Sequence, residues 1–162
     1  MSAEAASAPR AKILLATRLD PPADVTARAA ARLARQLGGA LVVSFVAEEL
    51  ETVPRIATTT GIEESSVREQ MLREVRERVE EFVRACCPAE TAVRVGEGEA
   101  VREIVRAARE EDADYLVVGT QAHGMLRELV VGSTTHEILR HAPCPVVVVP
   151  LRRSQSARGD AP

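Results

Sequence analysis

Two short segments carry the residue types that hold a charged ligand. One is Gly119, which follows a short apolar run. The other is Gly132-Ser133-Thr134-Thr135, thirteen positions further on, which opens a helical pattern. Glycine lets a backbone approach a ligand closely. A helix start presents unpaired amides and the positive end of the dipole, and the hydroxyls of Ser133 and Thr134 add donors. Together these are what a phosphate requires. The same residues also suit plainer roles, with Gly119 as a tight turn and Thr134 as a helix cap. Glu137, three residues after Thr134, would complete a capping box. Beyond the first apolar run stand Thr17, Arg18 and Asp20. A guanidinium there has the right geometry for a phosphate.

Other chemistries lack their residues. No Gly-x-Ser-x-Gly elbow occurs, so a nucleophilic serine is not expected. His136 and His141 are five apart, which is not the i, i+4 spacing of a metal pair, and no metal site is expected. His123 sits between the two glycine segments, where it either touches a phosphate or lies on the surface. A dinucleotide oxidoreductase needs Gly-x-Gly-x-x-Gly after the first strand, where this chain has Arg18-Leu19-Asp20-Pro21. A phospho-accepting receiver needs clustered acids there, an Asp after the third strand and a late Lys. Arg18, Val95-Gly96 and the solitary Lys12 exclude it. No general base, catalytic lysine or Walker sequence is visible, so the chain is not expected to be an enzyme beyond slow ATP hydrolysis.

The elements that must position these residues alternate. Lys12–Thr17 is a short apolar run read as a buried strand. Pro21 and Pro22 break the chain, and Val25, Ala29, Leu33 and Leu37 follow at helical spacing up to Gly38-Gly39. Leu41–Val46 is a second strand. Glu48–Gly61 has no clear period, contains Pro54 and a threonine run, and reads as a long mobile loop or flap. Ser65–Cys86 is an amphipathic helix with Val67, Met71, Val75, Val79, Phe82 and Cys86 on one face. Thr91–Val95 is a third strand. A helix with Val101, Ile104, Val105 and Ala108 inward follows. Tyr115–Val118 is a fourth strand, 120–131 a loop, and Thr134 onward a helix ending before Pro143. Pro145–Pro150 is the fifth strand. Continuous apolar strands alternating with helices imply a parallel sheet covered on both faces. Right-handed crossovers make it doubly wound, a three-layer α/β/α domain. Ligands of such sheets bind beyond the carboxyl ends of the strands. Residues 12–150 form the single domain, and the polar segments 1–11 and 151–162 are expected to be disordered.

Composition narrows the partners. Of 162 residues only 2% are aromatic, and the formal net charge is -3. Neither base stacking nor a basic phosphate-tracking surface is available, so no nucleic acid is expected. No apolar run is long enough to span a membrane, and no signal peptide is read. Cys86 and Cys87 are adjacent, and Cys144 stands between prolines. That is neither a disulfide framework nor a metal set, and reduced thiols in the cytoplasm fit it.

The stretch Gly119-Thr120-Gln121-Ala122-His123-Gly124 through Val131-Gly132-Ser133, with the tail His141–Val149, resembles the universal stress protein family. The family motif is Gly, two residues, Gly, nine residues, then Gly-Ser or Gly-Thr. The resemblance extends over Lys12–Pro150. It implies the five-stranded parallel sheet of the adenine nucleotide alpha hydrolase-like fold and a stress-response role. It also implies ATP, with Mg²⁺, bound through Gly119, Thr120, Ala122, His123, Gly132, Ser133 and Thr134. The adenine and ribose would lie near Ala16, Thr17, Arg18, Val46 and Val95. Two positions depart: the middle Gly falls at Ala122, and the acidic residue after the first strand falls at Arg18. The family splits into ATP binders and members without the motif, so the alternative is a dimeric interaction module without nucleotide. The family's strand order puts Val146, Val147, Val148 and Val149 at a sheet edge. Pairing with a twin would cover that edge and make a homodimer.

Overall fold

The computed structural model describes residues 11–120 and 132–151. Five parallel strands form one sheet in the order β3-β2-β1-β4-β5. They are β1 (Lys12–Ala16), β2 (Ala40–Val46), β3 (Ala92–Gly96), β4 (Tyr115–Gly119) and β5 (Val146–Val149). Helix α1 (Ala23–Gln36) follows β1. A 3-10 turn (Glu48–Thr52), α2 (Val53–Thr60) and α3 (Glu64–Cys86) lie between β2 and β3. α4 (Ala100–Glu110) precedes β4, and α5 (Ser133–His141) precedes β5.

The central strands are apolar along their whole length because helices cover both faces. Ile13, Leu15, Val43 and Val117 face α1 and α3, meeting Ala27, Ala30, Val75 and Val79. Leu14, Ala16, Val42, Leu116 and Val118 face α4 and α5, meeting Ile104, Ala108 and Ile138. With two Phe and no Trp, the interior is built from branched aliphatics and alanine. Alanine at 27, 30 and 34 lets α1 lie close to the sheet. The chain runs outward from β1 to β2 and β3, then crosses back to β4, so the order reverses between β1 and β4. Ala16 is level with Val118 across that boundary.

Two expectations change. Glu48–Gly61 is not a loop: a 3-10 turn and α2 occupy it. Pro54 falls in the first turn of α2, where its missing N–H is not needed. Thr58, Thr59 and Thr60 each donate a hydroxyl bond to the carbonyl four residues earlier. Leu50 and Val53 anchor the segment in the core, and Gly61 ends α2 at φ 71°. Second, Thr134 is not the cap of α5. Gly132 holds that position, and no side chain, Glu137 included, closes a capping box. At the ends of the domain, Ala11 accepts a bond from the Ala40 amide at 2.8 Å and Leu151 is bonded to Thr120, so order extends one residue past each expected boundary. The rest of the two terminal segments lies outside the described residues.

Candidate functional site

The strand order reverses between β1 and β4, and in this architecture ligands bind at such a switch point, in the crevice beyond the carboxyl ends of the strands. Thr17 and Arg18 leave β1 on one side, and Gly119 and Thr120 leave β4 on the other. Gly132 and Ser133 begin α5 on the α4 side of the sheet.

The start of α5 is electrostatically open. His136 is the first α5 amide to reach an intrahelical carbonyl, that of Gly132 at 2.9 Å. The amides of Ser133, Thr134 and Thr135 precede it, no side chain among the described residues caps them, and no acid occupies the first turn. Four orphan amides per helix start are normal, and an anion is one way to satisfy them. α4 resolves the same problem internally. The Glu99 carboxylate accepts from the Val101 and Arg102 amides at 2.9 and 2.8 Å. The carboxylate closes that helix start, leaving α5 as the anion-compatible one of the two.

Thr135 fixes α5 over the crevice. It is buried, and its hydroxyl donates to the Gly119 carbonyl at 3.3 Å. Ser133 and Thr134 are exposed, so their hydroxyls and amides face outward from the same turn. Gly119 is required for space and not for an unusual backbone angle. A Cβ there would fall 2.7 Å from Thr26 Oγ1 and 2.9 Å from Leu151 Cδ1. At Gly132 no described residue lies within 4 Å of an added Cβ.

The residues expected around the ligand divide. Gly119 lies against the first turn of α5, which carries Gly132, Ser133 and Thr134, and Thr17 and Arg18 follow the neighbouring strand β1. Thr120 carries structural bonds. It is 4% exposed, its amide donates to Val149 at 3.0 Å, and its hydroxyl accepts from the Leu151 amide at 3.0 Å. It clasps β4 to the end of β5. Ala16 and Val46 pack in the α4–α5 layer, whereas Val95 packs in the α1–α3 layer. Gly96 pairs with Val46 and, through its carbonyl, takes the Ala47 amide at 2.8 Å, so Gly96 forms the backbone lip there. Ala122 and His123 lie outside the described residues.

Arg18 Nε is 3.3 Å from Asp20 Oδ2, with both side chains more than half exposed (64% and 72%). Such a pair holds itself only weakly, so the guanidinium is available to an incoming anion. Thr17 donates its hydroxyl to the Arg18 carbonyl at 2.6 Å, which pins the turn that carries it. Glu99 and Thr26 were missed from the sequence, as was the anchoring role of Thr135. Thr135 was readable, since Thr135, Ile138 and Ala142 follow the inward helical period. The burial of Thr26 under Gly119 has no local signal.

The Universal stress protein family profile matches residues 9–150. A universal stress protein from Thermus aquaticus, encoded in the QAH/OAS sulfhydrylase 3' region, is 31% identical over 123 residues, covering 76% of this chain and 87% of that protein. The hypothetical protein MJ0577 superposes with a TM-score of 0.68 at 20% identity, covering 91% of this chain and 100% of that one. A universal stress protein solved in complex with cAMP superposes at 0.58 and 18% identity, covering 88% and 98%. The two solved structures match in fold, and the family profile and the Thermus relative match in sequence along most of the ordered domain. The chain belongs to the universal stress protein family.

Proposed function

We propose that the crevice between β1 and β4 binds an adenine nucleotide, ATP accompanied by Mg²⁺ being the leading ligand, and that the protein acts as a stress-response regulator through binding and release. The observation that carries this reading is the uncapped start of α5 beside Gly119. It offers the amides of Ser133, Thr134 and Thr135 where the sheet order reverses. The cAMP complex of a protein with the same fold supports the ligand class. Phosphates would sit on the α5 amides, with Arg18 able to swing from Asp20 towards them. Adenine would lie along Ala16 and Val46. Among the described residues none is poised as a general base over the phosphate position, so turnover is expected to be slow.

Titration calorimetry of the nucleotide-free protein with ATP and Mg²⁺, and with AMP in parallel, tests this. Micromolar binding is expected, together with its loss in Ser133→Glu, whose carboxylate would face the phosphate. Unchanged affinity in that variant sinks the placement. No heat and no thermal shift at millimolar ATP sinks the ligand.

A second reading follows from Arg18. The basic residue at position 18, where the family's nucleotide binders carry an acid, and the departure at Ala122 favour a dimeric interaction module in which the crevice is unused. Both readings include a homodimer through β5. That strand pairs with β4 on one side only, leaving its other edge for a twin.

A further inference from the structure

Away from the crevice, α4 and α5 leave an open groove of about 730 Å³. Half-buried Val101 is its apolar contact, with Val105 buried at its floor; Arg102 and Arg109 stand beside them, and Glu137 and His141 of α5 form the opposite wall. The acids in the groove are already engaged. Glu99 caps α4. Glu110 pairs with Arg94 and with Arg106, the latter at 3.7 Å. Glu137 pairs with Arg140 at 3.6 Å and His141 at 3.4 Å. Arg102 and Arg109 are exposed and have no carboxylate partner among the described residues. They stand seven residues apart, two helical turns or about 10 Å, on the same side of α4. The groove thus presents two exposed guanidiniums, without a carboxylate partner among the described residues, beside half-buried Val101, on a chain whose net charge is negative.

We propose that this groove docks an acidic amphipathic segment of a partner protein. An apolar side chain of that segment would lie on half-buried Val101, and carboxylates about two helical turns apart would meet Arg102 and Arg109. Guanidiniums take carboxylates bidentately, which fixes register as well as sign. A continuous polyphosphate fits less well, because Glu99, Glu110 and Glu137 interrupt the positive surface. The groove meets α5 at Glu137 and His141, beyond its uncapped first turn, so the proposal stands independently of nucleotide binding.

The test is selection of a random-peptide phage library on the intact protein. Peptides carrying paired Asp or Glu around Leu, Ile or Phe are expected. A labelled selected peptide should then lose at least about tenfold in affinity, by fluorescence anisotropy, for Arg102→Glu/Arg109→Glu, and weaken with salt. Arg35→Glu on α1 should leave the affinity unchanged. If the double charge reversal does not fold, Arg102→Gln/Arg109→Gln gives the same comparison. Absence of acidic enrichment, or undiminished binding to the double variant, overturns the proposal. So does tighter binding of a poly-thymidine oligonucleotide that displaces the peptide, which would make the groove a polyanion surface.

Discussion

Gly119 shows how one residue can be dictated by crowding. Because Thr26 Oγ1 and Leu151 Cδ1 occupy the space of its missing side chain, Gly119→Ala should cost about 1–3 kcal/mol through overpacking. Urea unfolding would read this as a lower midpoint at unchanged slope, and an unmoved midpoint would show that the neighbours yield freely. The cysteines give a second residue-level expectation. Burial, and then the neighbouring Cys86 thiol, push the Cys87 thiol up to about 11. Burial likewise raises the Cys144 thiol, with Asp114 adding to it. A raised acid is protonated when folded, so its stabilising contribution is intact below the unfolded thiol's pKa of about 8.5 and is lost as pH rises towards 11. At pH 8, Cys87 should alkylate with iodoacetamide more slowly than a thiol in the urea-unfolded chain, as followed by mass spectrometry. Equal rates would contradict its burial. Gly119, Gly132 and Ser133 were readable because glycine and hydroxyl residues at helix and strand ends are local signals. The role of Thr120 was not, since its partner Leu151 is 31 residues away.

At the scale of elements, α4 and α5 pose the same electrostatic problem and answer it differently. Gly132→Asp would give α5 the carboxylate cap that Glu99 gives α4. Position 132 has φ -63° and no described residue within 4 Å of an added Cβ, so the side chain is accommodated. The variant should be stabilised by about 0.5–1 kcal/mol and should lose nucleotide affinity, because the new carboxylate takes the ligand's place. Thermal melting and calorimetry on one sample would check both halves. Retained affinity with a higher melting point would move the ligand elsewhere. The strands and long helices were legible because their apolar periods are unambiguous, as in Val75 and Val79 of α3. α2 was not, since a proline and three threonines resemble a loop. What decides is position: Pro54 in the first turn, back-bonding hydroxyls, and Val53 buried in the core.

For the whole molecule, the alternation of strands and helices sufficed to give the parallel three-layer sheet. The order β3-β2-β1-β4-β5 was not legible in the pattern, which the family resemblance supplemented only by placing the last strand at an edge. The pairing of two copies is the part a single chain's pattern does not fix. Val147 on β5 is 36% exposed at the free edge. Val147→Glu would place like charges across the two-fold axis and should convert a dimer to monomer at micromolar concentration. Light scattering decides this, and an unaltered mass for the variant would mean that β5 is not the interface.

The clasp between Thr120 and Leu151 has a practical consequence for anyone labelling this protein. β5 is parallel to β1, so the chain passes Leu151 at the crevice edge of the sheet, while Ala11 enters β1 at the opposite edge. A dye or affinity handle attached just after Leu151 would therefore report on the crevice or obstruct it. One attached just before Ala11 would leave the sheet on the far side. Comparing the two placements offers a direct optical readout of crevice occupancy, with a built-in control on the same fold.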